Sequence, residues 1–325
     1  MRLRQVISLA AIALFVALLG GCATSTSHPH KTASPPGSGA SVSIIVTRGF
    51  SEPAILEKTV AIDEATTALD ALQMIASVET EHGGGFVSSI EGISPKYEGN
   101  EEATKAWFFY INGIASSTGA ADYILQDGDC EQWDYHDWGF RQFITAIIGG
   151  FPEPFVHGSG GEVYPTVVTY QNGWQESAQE IADSLGGRGV QDVTCRGFDE
   201  LSAAARESSN LVLVGTSDFE PVRELNESWD RLGFYVHFQD EALVVFDSVG
   251  EPAGEYGEDS GLIQATQSIW NPAGIGAGEN VVWVVSGLGE SGVNAAVDTL
   301  VSHPDAFSYA CAVVVTQGEI LRVPR

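Results

Sequence analysis

The residues best suited to binding a ligand are aromatic, and they lie in two short segments of the chain. WFFY occupies residues 107–110, and WDYHDW occupies residues 133–138. Successive side chains of a strand point to opposite faces, so each segment presents aromatic rings to both sides of a sheet. One set of rings fills a small core, whereas the other can form a flat platform for a planar ligand or a partner. The alternative is that both sets pack a core or the joint between two domains.

A histidine and an asparagine add polar groups to this aromatic platform. His136 is flanked by Asp134 and Asp137, and a neutral imidazole is a common metal ligand. The competing interpretation pairs His136 and Arg141 with those aspartates at a domain joint. Asn112 lies in an Asn-Gly turn, where its side chain can hydrogen-bond the edge of a ligand. The predicted ligand-contact residues are Trp107, Tyr110, Asn112, Trp133, Tyr135 and His136.

Motifs that indicate catalysis are weak in this chain. GLGESG at residues 287–292 has the spacing of a dinucleotide-binding loop and follows a predicted strand, but we favour a structural turn. The chain has no Gly-x-Ser-x-Gly elbow, and Ser159, two residues after His157, lies in a loop with no helix behind it. Neither an acidic pair nor a zinc-type cysteine spacing stands out. We therefore predict no catalytic residues, no metal site and no enzymatic activity.

The amino terminus has the features of an export signal. Two arginines precede an apolar run that ends at residue 19, and small residues then lead to Cys22. A basic start, a short apolar core and a small-residue cleavage site are typical of a secretory signal peptide. The ending LGGC resembles the lipobox of bacterial lipoproteins, and the alternative is an ordinary signal peptide. We predict a signal peptide over residues 1–21, then a lipidated Cys22 and a flexible tether over residues 22–40, outside the cytoplasm on a membrane.

The charge of the chain excludes nucleic acid as a partner. The chain has 325 residues and a formal net charge of −28 at pH 7, whereas affinity for nucleic acid depends mainly on Lys and Arg. The length suffices for about two domains. Cys195 and Cys311, both in the second half, are the only pair that we consider for a disulfide, which an extracytoplasmic location permits.

Residues 41–138 are predicted to form a small α+β domain. SVSIIVTRG and EKTVAIDEA have the pattern of strands, and residues 66–80 have apolar side chains at helical spacing. Thr66 or Thr67 can cap this helix, with Asp70 as a capping-box partner of Thr67. Further strands follow, with an Asn-Gly turn and an Asp-Gly turn among them. This order of strands and helix indicates a fold of the β-grasp type.

The same segment resembles a known family. TTALDAL, GGGFVSSIEGI, WFFYINGIASSTGAADYILQDGD and EQWDY occur in the order found in the transcobalamin-like C-terminal domain family. In the animal vitamin B12 carriers, the corresponding domain closes over one face of the corrin ring. The resemblance implies a corrinoid, or another large and partly planar molecule, as the ligand. It also implies that His136 can approach the corrinoid cobalt.

The remainder of the chain is predicted to be a second, α/β domain. Residues 139–162 form an apolar joint rich in Gly, Pro and Phe, so we expect the two domains to be docked. Over residues 163–325 the predicted strands alternate with helices, which indicates a mostly parallel sheet. Residues 210–301 also resemble a domain found at the end of archaeal surface-layer proteins.

Together these patterns predict a lipid-anchored, extracytoplasmic binding protein. Its predicted partners are the membrane, through the lipid, and a small-molecule ligand or a surface protein. A corrinoid is the predicted ligand rather than a resident cofactor. The alternative is a structural or interaction module of the cell surface that binds a protein or a polysaccharide.

Overall fold

The structure is a computed structural model that describes residues 30–31, 39–50, 53–95, 104–277 and 279–325. The predicted signal peptide, Cys22 and most of the predicted tether lie outside the described residues. Within the described ranges, no helix is long and apolar enough to cross a membrane.

The described part of the first half contains one α-helix, a five-stranded sheet and a separate hairpin. Its elements in chain order are β1 (His30–Lys31), β2 (Ser41–Arg48), β3 (Leu56–Ala61), α1 (Ala68–Ile75), β4 (Val78–Glu81), β5 (Phe86–Ile90), β6 (Lys105–Ile111), β7 (Ile114–Ala115) and β8 (Cys130–Asp137). The sheet has the order β3-β2-β8-β6-β7, and β4 pairs with β5 to form the hairpin. Within the sheet, β2 and β8 run parallel, whereas the other neighbours are antiparallel.

Helix α1 begins where the sequence predicts but ends earlier. The Thr67 hydroxyl accepts a hydrogen bond from the Asp70 amide, and the Asp70 carboxylate accepts one from the Thr67 amide, as a capping box requires. The helix ends at Ile75 rather than at residue 80. The predicted end is wrong because Val78–Glu81 pairs with Phe86–Ile90 as a strand, and its valine and threonine favour that conformation.

The second half of the chain contains a seven-stranded sheet and a three-stranded sheet. Its elements are β9 (Glu162–Val163), β10 (Thr166–Tyr170), α2 (Gln175–Gly187), β11 (Val193–Gly197), α3 (Ala203–Glu207), β12 (Asn210–Thr216), α4 (Glu220–Glu227), β13 (Val236–Gln239), β14 (Ala242–Phe246), β15 (Pro252–Tyr256), β16 (Gly261–Gln267), β17 (Val281–Gly287), α5 (Glu290–Ser302), β18 (Ala312–Thr316) and β19 (Glu319–Val323). Strands β13, β14 and β15 form the small sheet, and β9 pairs with β1.

The large sheet is mixed rather than mostly parallel. Its order is β11-β10-β12-β17-β16-β18-β19. The pairings among the first four strands are parallel, and the remaining pairings are antiparallel. Strand β16 runs antiparallel to both of its neighbours, β17 and β18. Strand β19 follows β18 through a tight turn. Antiparallel pairs such as these do not require the helical crossover that joins parallel strands. The chain is thus a mixed α/β protein, with more sheet than helix.

The joint of residues 139–162 is packed between the two halves. Ile144, Ile147 and Ile148 are at most 3% exposed. Ile144 and Ile147 belong to a core that also contains Tyr110 of the first sheet and Tyr235 of the second half. One face of the first sheet is therefore covered by the second half of the chain.

The two cysteines considered for a disulfide are not paired. Cys195 and Cys311 are both free thiols. Cys311 belongs to the core on one face of the large sheet, and Cys195 packs against the core on the other face. The sheet itself therefore separates the two thiols.

Candidate functional site

The predicted ligand-contact residues are all buried. Each is at most 6% exposed, and they divide between the two faces of the first sheet. Trp107, Trp133 and Tyr135 belong to the core beneath α1, whereas Tyr110 belongs to the core shared with the second half. The expected division of the aromatic rings by strand alternation is therefore present. The second half, however, occupies the face on which an open platform was expected.

His136 is enclosed by aromatic rings and is 3% exposed. Its ring stacks on Phe108 at a centroid distance of 4.4 Å and lies 4.9 Å from the ring of Phe50. Its Nδ1 lies 3.0 Å from Oδ1 of Asp134, whose other oxygen accepts hydrogen bonds from Thr47 and from the Phe50 amide. In this arrangement the imidazole does not reach a ligand outside the protein, as an axial bond to cobalt would require.

Arg141 does not form the ion pair with the aspartates that the sequence left open. Its Nε donates to the carbonyl oxygen of Phe234 at 2.7 Å. The guanidinium carbon lies 3.7 Å from the ring centroid of Phe140 and 4.3 Å from that of Trp229. Of the two predicted contacts with the aspartates, His136 forms the one with Asp134, whereas Arg141 packs against aromatic rings instead.

Asn112 is satisfied within the protein. It is wholly buried, and its Nδ2 donates to Oδ1 of Asp129 at 2.7 Å and to the carbonyl oxygen of Gly158 at 2.8 Å. Its Oδ1 accepts from the Cys130 amide. With φ values of 53° and 76°, Asn112 and Gly113 form the predicted turn. The asparagine therefore ties the turn to neighbouring loops and leaves no group for a ligand.

A cleft of about 250 Å³ opens along β6, where the two cores meet. We call it the β6 cleft. Three of the six predicted residues line it, and the other three, Asn112, Tyr135 and His136, do not. Its lining residues are Gly84, Gly85, Phe86, Val87, Trp107, Phe108, Phe109, Tyr110, Ala115, Ser116, Gly119, Ala120, Trp133, Phe143 and Ile144.

The β6 cleft exists because the first sheet stops short at this edge. Strand β7 is only two residues long and pairs with Tyr110 and Ile111. Over residues 105–109, no strand of the described chain pairs with the outer edge of β6. Glycines at positions 84, 85 and 119 keep the walls free of side chains. The outer edge of β6 over these residues thus remains accessible from one side, and Phe108 and Phe109 on it are partly exposed.

The cleft is chemically apolar. Ser116 and Tyr110 are the two lining residues with a hydroxyl group, and Ser116 Oγ already donates to the Thr118 carbonyl and accepts from the Thr118 amide. The Trp107 indole donates to the carbonyl oxygen of Ile93. In the described part of the chain, no group of three His, Cys, Asp or Glu side chains can hold a metal ion. The cleft can therefore bind a flat apolar group but offers no charged partner.

One carboxyl group lies directly behind the cleft. Trp133, which lines it, donates its indole N–H to Oε1 of Glu131. Glu131 is wholly buried, and its Oε2 has no hydrogen-bond partner in the described structure. Burial raises the pKa of Glu131 to about 8, because a charged carboxylate is disfavoured away from water. At neutral pH this carboxyl is therefore mainly protonated.

Two rim residues were missed by the sequence analysis. Phe86 and Phe143 are each 42% exposed, and they are the exposed phenylalanines of the described chain. Both line the β6 cleft. Their positions on different elements, 57 residues apart in the sequence, left no local pattern that could have paired them. An isolated phenylalanine beside a glycine run, as in GGGF, is the only signal that the sequence offers.

The GLGESG motif serves close packing in this structure. A Cβ atom placed on Gly292 would lie 2.2 Å from the carbonyl oxygen of Ser260, and one on Gly287 would lie 2.6 Å from the carbonyl carbon of Gly292. These contacts are with backbone atoms, which cannot move aside without displacing α5 or β16. The glycines therefore allow α5 to approach the sheet, which agrees with the structural turn favoured from the sequence.

Comparison with known proteins shows limited similarity. A domain of unknown function, DUF4430, matches residues 65–137, a segment that contains every lining residue of the β6 cleft except Phe143 and Ile144. No curated protein matches the chain. A solved structure of a candidate metal-binding protein from Ruminococcus gnavus is 15% identical, with coverage of 30% of this chain and 97% of that protein and a TM-score of 0.23. Haptocorrin in complex with Cbi is 14% identical, with coverage of 31% of this chain and 26% of haptocorrin and a TM-score of 0.25.

Proposed function

We propose that the protein is a non-catalytic binding protein that takes one flat, apolar ring of a larger ligand into the β6 cleft. The observation that carries this proposal is the position of Phe86 and Phe143. Burying apolar surface is the main favourable term in ligand binding, so exposed phenyl rings at the rim of an apolar cleft favour an apolar occupant. Phe108 and Phe109, which line the cleft and are only partly buried, supply aromatic surface on its floor.

The size of the cleft limits how much of a ligand enters it. Pockets that enclose drug-sized molecules have volumes of roughly 300–1,000 Å³, and the β6 cleft has about 250 Å³. A ring system of one or two fused rings fits, and the remainder of a larger ligand projects outward along the open edge of β6. The family resemblance in the first half identifies a corrinoid as the ligand to test. In our proposal the corrinoid contacts the cleft and not His136.

We also propose that the protein works outside the cytoplasm as a lipoprotein. The amino-terminal sequence supports this location, because a basic start, an apolar run and LGGC precede the folded part. An anchor at Cys22 would hold the binding cleft near a membrane surface. This arrangement suits a protein that captures a ligand outside the cell and does not transform it.

Replacing Phe86 tests the binding proposal. In a calorimetric titration with cyanocobalamin, we expect the parent protein to bind one equivalent. Phe86→Ala removes an exposed ring that the ligand would cover, which is worth about 1.5 kcal/mol or roughly a tenfold weaker affinity. Met74→Ala is the matched control, because Met74 is 55% exposed on α1 and does not line the cleft.

Filling the cleft gives a second, independent test. Gly119 lines the cleft, and a Cβ atom on it meets no heavy atom within 4 Å, so we expect the Gly119→Leu side chain to obstruct the cleft without a backbone clash. We expect this variant to fold with the parent's melting temperature and to lose cyanocobalamin binding. Unchanged affinity in both Phe86→Ala and Gly119→Leu would contradict the β6 cleft as the binding site.

Replacing Cys22 tests the anchor. If Cys22 carries lipid, Cys22→Ala should release the protein from the membrane fraction, because lipid insertion is the interaction that holds it there. Fractionation of cells that produce each form, followed by immunoblotting, measures the distribution. A variant that stays with membranes as fully as the parent would show that the lipoprotein assignment is wrong.

The alternative function is a module that binds another macromolecule through the same edge. The unpaired edge of β6 and the exposed phenylalanines would then contact a protein surface. Capture of a protein partner by the parent but not by Gly119→Leu, with no binding of cyanocobalamin by either, favours this alternative over the proposed function.

A further inference from the structure

One wall of the β6 cleft rests on the second half of the chain. The described lining ends at Ile144, but the ring of Phe143 lies over the backbone of Gly276, where an added Cβ atom would lie 3.2 Å from Cε1 of the ring. A Cβ atom on Gly233 would lie 2.5 Å from the carbonyl oxygen of Phe143 and 2.9 Å from Cα of Ile144. The second half thus supports Phe143 at its ring and at its backbone.

Gln267 connects this support to another lining residue of the cleft. It is the last residue of β16 and is 1% exposed. Its Oε1 accepts a hydrogen bond from the Gly276 amide at 2.6 Å, and its Nε2 donates to the carbonyl oxygen of Ala115 at 3.2 Å. Ala115 lines the cleft, and Gly276 lies beneath the Phe143 ring. One side chain therefore joins two parts of the cleft wall.

The orientation of the Gln267 amide is determined by its two partners. A backbone N–H only donates and a carbonyl oxygen only accepts, so the amide oxygen must face Gly276 and the amide nitrogen must face Ala115. A flipped amide would leave both partners without a hydrogen bond in the protein interior, where unmade hydrogen bonds are costly. The length of this side chain therefore determines the separation of Ala115 from Gly276.

The backbone of Gln267 is itself fixed to the joint between the two halves. Its amide donates to Oγ1 of Thr145 at 3.0 Å, and that oxygen lies 2.9 Å from Oγ1 of Thr266. The carbonyl oxygen of Thr145 accepts from the Ala115 amide at 3.0 Å. Thr145 and Thr266 are wholly buried. The side chain of Gln267 therefore starts from a point that is fixed relative to the cleft.

We infer that Gln267 is a positioning residue of the β6 cleft, which holds the Phe143 ring at a set distance from Ala115. Through Gln267, the second half of the chain sets the width of the cleft and thereby the size of the ring that enters it. Gln267 does not line the cleft, so it acts on a ligand only through Phe143. The effect on binding rests on the function proposed above, whereas the position of Phe143 can be measured without a ligand.

Fluorine NMR of the ligand-free protein tests the positioning. The label is 4-fluorophenylalanine, placed at position 143 in one sample and at position 86 in a second. Gln267→Met removes both hydrogen bonds at a similar side-chain length, and Gln267→Asn keeps the amide but is one methylene shorter, so it reaches one partner only. We expect each variant to shift the resonance at position 143 and to leave that at position 86 in place.

Gln264→Met is the matched control for this measurement. Gln264 is also a buried glutamine of β16, with 4% exposure, and it does not line the cleft. We expect Gln264→Met to leave both fluorine resonances where they are in the parent protein. The comparison separates a specific effect on Phe143 from a general effect of substitution inside the large sheet.

A double-mutant cycle measures the consequence for binding. Phe143→Ala should weaken the affinity for cyanocobalamin roughly tenfold, because it removes an exposed ring that the ligand would cover. Gln267→Met should weaken binding by no more than this factor and should add nothing to Phe143→Ala, since residues that act through one another are not additive. Combined with Phe86→Ala, its effect should multiply in full.

Three results would overturn the inference. An unmoved resonance at position 143 in both Gln267 variants is the first, and an equal shift in Gln264→Met is the second. The third is a loss of affinity in Gln267→Met that persists in full in the Phe143→Ala background, which would show that Gln267 acts by another route. A parent protein that does not bind cyanocobalamin, while the resonance at position 143 shifts as expected, would remove the proposed function and support the positioning.

Discussion

Glu131→Gln should make the protein more stable at alkaline pH. Burial raises the pKa of Glu131 from 4.5 to about 8, so the folded state holds a proton that the unfolded state releases between those values. Parent stability therefore falls as the pH rises from about 4.5 to about 8, and the loss is complete above pH 8. A separation of this size corresponds to a loss on the order of 5 kcal/mol. The glutamine variant stays neutral and keeps an oxygen that accepts from Trp133.

Melting temperatures of both proteins between pH 5 and pH 9 measure this effect. We expect the two curves to meet near pH 5 and to separate steadily towards pH 8. Asp129, whose pKa burial raises to about 6, is present in both proteins and should leave a shared slope at the acidic end. Glu64→Gln removes the same charge from an exposed position and serves as the control. Parallel curves for the parent and Glu131→Gln would show that Glu131 is ionised in the folded protein.

Gly292→Ala should destabilise the protein strongly. The new methyl group would lie 2.2 Å from the carbonyl oxygen of Ser260 and 3.3 Å from that of Glu258. Both atoms belong to the backbone, so either α5 or the start of β16 must move. Overpacking of a core costs about 1–3 kcal/mol, and a clash with backbone lies at the upper end of that range.

Urea denaturation of Gly292→Ala beside Gly187→Ala separates this clash from ordinary helix propensity. Gly187 ends α2, and a Cβ atom placed there meets no heavy atom within 4 Å. We expect Gly187→Ala to leave the midpoint unchanged or to raise it slightly, since alanine favours a helix over glycine by about 1 kcal/mol. If Gly292→Ala unfolds at the same urea concentration as the parent, the packing of GLGESG against β16 is contradicted.

Local structure was predictable from the sequence where local chemistry determines it. Thr67 and Asp70 form the capping box at the start of α1, and Asn112 and Gly113 form the turn after β6. Both features depend on residues within four positions of each other. The end of α1 was not predictable in this way, because Val78–Glu81 becomes a strand only through its pairing with β5.

The candidate site was only partly predictable, because it depends on contacts between distant segments. Alternation along β6 correctly separated Trp107 from Tyr110. It could not show that the second half of the chain covers the face of Tyr110 and His136. The β6 cleft likewise needs Phe86 and Phe143, which the fold brings to one rim. Strand periodicity fixes the face of a side chain, whereas its exposure depends on what the rest of the chain places against it.

The most direct test of the β6 cleft is fluorine NMR of the protein labelled with 5-fluorotryptophan. The chain contains seven tryptophans, and Trp107 and Trp133 are the two that line the cleft. On saturation with cyanocobalamin, we expect the resonances of Trp107 and Trp133 to shift. Those of Trp229, Trp270 and Trp283, which lie in the second half, should stay in place. Unchanged Trp107 and Trp133 resonances at saturating cyanocobalamin would contradict ring binding in the β6 cleft.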